Sequence, residues 1–168
     1  EEQVFRLIDT AGIRQKGKTG EKLEKLSVIM ARKSIERADV ALLVVDATEG
    51  PTRLDATVGG YAHQAGKSII LIVNKWDLID RDSHTAVQME KEFRERLRFL
   101  EYVPMIFVSA KTGRRVVKIL DLVKDAQKSR LTRIPTAELN GFLETDVAPM
   151  LTTPGRIRRF GVKYAAQV

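Results

Sequence analysis

Three short polar stretches in this 168-residue chain each close an apolar run with residues able to do chemistry. Asp9-Thr10-Ala11-Gly12 follows Val4 to Ile8, Asn74-Lys75-Trp76-Asp77 follows Ser68 to Val73, and Ser109-Ala110-Lys111 follows Pro104 to Val108. Apolar runs that end in polar or glycine-containing turns are what parallel strands present to a ligand at their C-terminal ends.

The second stretch carries the most specific chemistry. A guanine base offers adjacent donors at N1 and N2, and a carboxylate accepts both at once in a charge-assisted, bidentate pair. Adenine has no such donor pair, so Asp77 is the residue expected to discriminate the bases. Asn74 is placed to hold the loop or reach the base edge, and the stem of Lys75 to lie over the base plane. Trp76 is expected to pack beside the site. Ser109-Ala110-Lys111 supplies a turn whose backbone N–H groups suit the carbonyl O6 of guanine. In the first stretch, Asp9 is suited to hold Mg²⁺ through water, because Mg²⁺ keeps part of its hydration shell. Gly12 lets its N–H approach a terminal phosphate oxygen closely. That contact is lost with a diphosphate, so the loop after it is expected to order and disorder with hydrolysis.

Together the three resemble the Mg²⁺/γ-phosphate motif and the two guanine-reading motifs of a GTPase. Two departures qualify the resemblance. Ile13 stands where many GTPases place the Gln that orients attacking water. No G-x-x-x-x-G-K-[ST] phosphate loop precedes Asp9, and the chain opens at Glu1. The expectation is an N-terminally truncated GTPase domain that, alone, hydrolyses no GTP and binds guanine nucleotides weakly or not at all.

The elements that must position these residues follow from periodicity. Val4 to Ile8 reads as a short strand, and Arg14 to Glu24 as a Lys/Gly-rich mobile loop. A helix is expected from near Ser27 to Ala38, with Val28, Ala31 and Ile35 on one face. Val40 to Val45, Ser68 to Val73 and Pro104 to Val108 read as strands buried on both faces. Leu54, Val58, Tyr61, Ala62 and Ala65 mark a helix that stops at Gly66, with Gly59 and Gly60 inside it, each less favourable than Ala by about 1 kcal/mol. Met89, Phe93, Leu97 and Leu100 mark a second, and Val116, Ile119, Leu120 and Val123 a third ending near Ser129. Strands alternating with helices predict right-handed crossovers and a mostly parallel sheet flanked by helices. The fold class expected is therefore α/β, and the motif resemblance implies the P-loop-GTPase type.

The character changes near Leu131. Pro135-Thr136 predicts a helix start with Leu139, Phe142, Leu143 and Val147 as its apolar face. Pro149 to Gly155 reads as a loop, and Arg156 to Val168 as a half-exposed strand. The domain reading is a truncated GTPase domain over 1–130 and the start of a second, incomplete domain over 134–168.

Composition sets the remaining bounds. The chain is 43% apolar and 30% charged, with formal charge +7 and no cysteine. That excludes a disulfide framework, a zinc–thiolate cluster and a thiol nucleophile, permits a cytoplasmic setting, and invites an acidic partner such as nucleic acid. No apolar run approaches the roughly 18 residues that span a bilayer. His63 and His84 match no ligand spacing and are expected on helix surfaces or starts.

Over most of its length the chain resembles the Der (EngA) GTPases, bacterial ribosome-assembly factors with tandem GTPase domains and a C-terminal KH-like domain. The resemblance lies in D-T-A-G-I-R from Asp9, in D-V-A-L-L-V-V-D-A-T-E-G from Asp39 and in N-K-W-D-L from Asn74, which are similar to the second GTPase domain. Thr136 to Asn140 and Val162 to Gln167 are similar to the first helix and strand of an α+β KH-like domain. The resemblance implies GTP and GDP as ligands, Mg²⁺ as cofactor, and K⁺ as a cation stabilising transition-state charge where Ile13 replaces the catalytic Gln. It also implies a cytoplasmic setting, the large ribosomal subunit and its rRNA as partners, and RNA contact through Arg156, Arg158, Arg159 and Lys163. Rival readings are an Era-like or tRNA-modification GTPase, or a non-enzymatic RNA-binding remnant.

Overall fold

A computed structural model describes residues 4–10, 29, 31–80, 84–151 and 165. The chain divides into two compact units, Glu1–Arg130 and Leu131–Val168.

The first unit is built on a three-stranded parallel sheet in the order β1-β2-β3, with β1 at Val40–Asp46, β2 at Ser68–Asn74 and β3 at Met105–Phe107. A helical segment over residues 31–37 (α1) precedes β1. Helix α2 (Arg53–Gln64) connects β1 to β2, α3 (Thr85–Arg96) connects β2 to β3, and α4 (Lys118–Leu131) follows β3. Because strand order follows chain order, right-handed crossovers put α2 and α3 on one face, and α4 covers the other. Alternation along the strands matches. Leu43, Val45, Leu71, Val73 and Phe107 enter a core with Ile35, Ala62, Phe93, Leu97 and Leu100. Ile70, Ile72 and Val108 pack with Leu42, Ile106 and the α4 residues Ile119, Leu122, Val123 and Ala126. Each fully buried side chain of this size contributes about 1.5–3 kcal/mol.

Local signals fix the helix ends. Thr52 caps α2: its hydroxyl accepts from the Asp55 N–H at 3.2 Å, and the Asp55 carboxylate accepts from the Thr52 N–H at 2.8 Å. Gly66 ends the following turn at φ +62. Gly59 is no weak point. A Cβ there would lie 2.9 Å from Leu100 Cδ1 and 3.1 Å from Leu43 Cδ2, so the glycine lets α2 approach the sheet. Gly60 has nothing within 4 Å of that position. Before β3, Arg94 Nη1 donates to the carbonyls of Glu101 and Val103, both at 2.7 Å, and so fixes the turn that feeds the strand.

Several expectations need correction. Residues 4–10 form no strand; Val4 and Leu7 are 89% and 82% exposed. An extended run is a strand only where its N–H and C=O groups find a ladder, and β1, β2 and β3 pair only with one another among the described residues. The 104–108 strand shrinks to three residues. Ala65 caps α2 and is exposed. Val116 precedes α4, and Leu120 lies on its exposed side, because the buried face runs through Ile119, Leu122, Val123 and Ala126. Ala38 lies just beyond the helical residues; Ser27, Val28 and the 14–24 loop lie outside the described residues.

The second unit begins with α5 (Thr136–Phe142), a π-helical turn at Leu143–Val147 and α6 (Ala148–Leu151). Pro149 therefore lies in a helix and not at the start of a loop. The wider π turn just before it relaxes the clash a proline ring makes with the preceding turn. Within this unit, Asn140 clasps Ala165. Its Oδ1 accepts from the Ala165 N–H at 2.9 Å and its Nδ2 donates to the Ala165 carbonyl at 3.0 Å. The rest of the expected 156–168 strand, with Arg156, Arg158, Arg159 and Lys163, lies outside the described residues. No helix among the described residues is long and apolar enough to cross a membrane.

Candidate functional site

The C-terminal ends of β1, β2 and β3 carry three polar turns into one cluster. Asp46 ends β1 in register with Asn74, which ends β2. The Ala47 N–H donates to the Asn74 carbonyl at 2.8 Å, and the Trp76 N–H donates to the Val108 carbonyl at 3.0 Å. Backbone hydrogen bonds thus tie the three strand ends before any side chain is considered.

Lys75 then turns the chain sharply, at φ 63 and ψ 30. A non-glycine residue in this left-handed region costs about 1–3 kcal/mol and persists where its surroundings over-determine it. Here a 3₁₀ turn at Trp76–Leu78 follows directly, and its middle residue is Asp77. Trp76 is 4% exposed, with its ring centroid 4.4 Å from that of Phe107. The indole thus anchors the turn to β3 and leaves the neighbouring polar residues at the surface.

The turn after β3 meets this one through two side-chain contacts. Ser109 is completely buried, and its hydroxyl donates to Asp77 Oδ1 at 2.6 Å. The Ala110 N–H donates to Asn74 Oδ1 at 3.0 Å. Asn74 therefore holds the loop. Ser109 Oγ also accepts from the Thr112 N–H at 3.1 Å, and the Ser109 N–H donates to the Arg114 carbonyl at 3.1 Å. Of the four N–H groups from Ser109 to Thr112, that of Lys111 alone takes no acceptor among the described residues. It is therefore the backbone donor of this turn that a ligand carbonyl can use.

Asp46 joins the cluster unannounced by the motifs. One carboxylate oxygen accepts from the Thr48 N–H at 2.9 Å and the Thr48 hydroxyl at 2.7 Å, and the other pairs with Lys75 Nζ. Partial burial is the largest influence on this carboxyl and pushes it up. Hydrogen bonds from Lys75, from the Thr48 hydroxyl and from the Thr48 N–H, with the Lys75 charge, together outweigh it and hold the carboxyl below its ordinary value. The available signal was the D-A-T sequence closing β1: an Asp two residues before a Thr, at a strand end beside Asn74.

On the phosphate side, Asp9 and Thr10 are exposed in a coil; Ala11, Gly12 and Ile13 lie outside the described residues. No group of three His, Cys, Asp or Glu among the described residues could hold a metal. One carboxylate is what an ion shared with nucleotide phosphates and water requires, so Asp9 fits Mg²⁺ in that manner. His63 lies in the last turn of α2 with Nδ1 3.0 Å from the Tyr102 hydroxyl, and His84 precedes α3.

Comparison with known proteins bears on the family and the fold. Residues 27–129 match the family described as the elongation factor Tu GTP binding domain. GTPase Der of Streptococcus pyogenes serotype M49 is 45% identical over 99% of this chain, and GTPase Der of Streptococcus agalactiae serotype III is 44% identical over the same share. The chain spans 38% of the length of each of those relatives. A structure of Era with MgGDPNP and a segment of 16S ribosomal RNA superposes with a TM-score of 0.58 at 26% identity, over 70% of this chain and 38% of Era. Aquifex aeolicus Era bound to GDP and AlF4⁻ gives the same values. The fold is that of P-loop GTPases, and with more than half of its residues matched, the chain belongs to the family of the elongation factor Tu GTP binding domain.

Proposed function

We propose that these residues form the base-reading and γ-phosphate-sensing part of a GTP-hydrolysing switch that acts in assembly of the large ribosomal subunit. The observation that carries the nucleotide reading is the Ser109 hydroxyl on Asp77 Oδ1 at 2.6 Å. It fixes a carboxylate at the convergence of the strand ends, where a bidentate acceptor for guanine N1–H and N2–H is required. The Lys111 N–H is the donor for O6, and the Lys75 stem covers the base. A base without that donor pair forfeits both charge-assisted bonds to the carboxylate, which is the route to large selectivity.

On the phosphate side, Asp9 holds Mg²⁺ through water, and Gly12 meets the γ-phosphate with its N–H. The ion supplies neutralisation of charge on the transferring phosphoryl group. Ile13 cannot orient water, so the reading assigns K⁺ the task of stabilising that charge. No G-x-x-x-x-G-K-[ST] loop precedes Asp9 in these 168 residues to grip the β- and γ-phosphates, so this stretch alone is expected to turn over no GTP.

Assembly of the large subunit rests on the similarity to GTPase Der. Binding of ribosomal RNA by the Era neighbour and the +7 charge support rRNA as the partner, with Arg156, Arg158, Arg159 and Lys163 as contacts in a KH-like segment. A cytoplasmic setting follows from that role. Titration of a fluorescent GTP analogue into the full-length protein and into the 168-residue stretch is the test. Tight binding and K⁺-stimulated turnover by the former alone are expected. Turnover by the short stretch, or no guanine binding by either, would overturn the reading. Depletion in cells is expected to accumulate large-subunit precursors.

A further inference from the structure

We infer that Asp46 is a positioning residue of the nucleotide site: it holds the Lys75 side chain in place over the bound base before the nucleotide arrives. This rests on the guanine reading above. A lysine carries four rotatable bonds, and immobilising such a chain on binding opposes affinity. A partner that orders it beforehand removes that cost. Asp46 is built for the purpose. It ends β1 directly opposite Asn74, one residue before the lysine. The hydroxyl and N–H of Thr48 fix one of its oxygens, at 2.7 and 2.9 Å, while the other meets Lys75 Nζ.

The side chains have unequal exposure, 19% for Asp46 and 52% for Lys75. The sheltered carboxylate is the fixed point and the ammonium is the group that is held. The left-handed backbone at Lys75 starts its side chain from a defined direction, so the ion pair closes a short, rigid loop between two adjacent strand ends. The D-A-T sequence marks Asp46 as a strand end, and its contact with Lys75 arises from the parallel register of β1 and β2.

The test uses full-length protein and stopped-flow release of a fluorescent GDP analogue. Asp46→Ala is expected to speed release about tenfold, and Asp46→Glu to recover part of the loss. In a Lys75→Ala background, Asp46→Ala is expected to add little, because the lysine it positions is gone. The stem lies over the ring and not at its edge. The same loss should therefore appear for xanthosine diphosphate in an Asp77→Asn background. A purely structural Asp46 would add its effect on release fully to that of Lys75→Ala; that result overturns the inference. Unchanged release in Asp46→Ala overturns it as well. Failure of the parent protein to bind GDP would instead refute the guanine reading itself.

Discussion

The two ends of the candidate nucleotide site are built differently. The base-reading end rests on β1, β2 and β3, with Trp76 and Ser109 buried, Ser109 bound to Asp77 and Ala110 bound to Asn74 across two turns. Residues 4–10, leading to the phosphate-side motif, form an exposed coil outside the ladder. A base is the same in every nucleotide state, so its reader gains from rigid preorganisation. The phosphate-side residues Asp9 and Thr10 are exposed and lie outside that sheet among the described residues.

The largest effect expected from this contrast follows removal of the base acceptor. Asp77→Ala should weaken GDP binding by roughly a thousandfold, the loss of two charge-assisted hydrogen bonds, read by equilibrium titration of the full-length protein. Next comes the scaffold beneath it. Ser109→Ala removes the donor to Asp77 and the acceptor for the Thr112 N–H. It should cost about 1–3 kcal/mol in chemical denaturation, with a matching loss of affinity.

Packing under β1 gives a paired test. Gly59→Ala should destabilise by about 1–3 kcal/mol through overpacking against Leu100 and Leu43, while Gly60→Ala, in open space, should stabilise by up to about 1 kcal/mol. Equal effects at the two positions would remove the case for close approach of α2.

The dependence on pH is smaller and signed. The Asp46 carboxyl is held below its ordinary value of 3.8. Its contribution to stability is therefore present above that value and lost as pH falls through the lower folded-state value. The melting temperature of the parent protein should exceed that of Asp46→Asn at neutral pH, and the gap should close below pH 3.8. The smallest expected effect is at the other end. Asp9→Asn should shift nucleotide-free stability by no more than about 0.5 kcal/mol, because Asp9 is exposed, while weakening Mg²⁺-dependent binding of GTP.

Strands and polar turns were legible where the signal is local. Val40 to Val45 and Ser68 to Val73 are apolar runs stopped by Asp46 and Asn74, and β1 and β2 end on those residues. What escaped depends on distant partners. Val4 to Ile8 has a strand's composition and joins no ladder among the described residues. Gly59 looks like a helix defect until Leu100 and Leu43 are brought against it. Pro149 looks like a helix stop until the π turn before it is seen, and Asp46 has no meaning until β1 lies beside β2. The charge cluster from Arg156 onward, by contrast, lies outside the described residues.

The central claim is that Asp77 reads guanine, and a base-exchange experiment tests it most directly. In xanthine a carbonyl replaces the C2 amino group, so an amide donor should suit it where a carboxylate suits guanine. Affinities of GDP and xanthosine diphosphate would be measured for the full-length protein and its Asp77→Asn variant. The account predicts a strong guanine preference in the parent and a reversed preference in the variant. Retained guanine preference in Asp77→Asn, or equal binding of both bases by the parent protein, would contradict it.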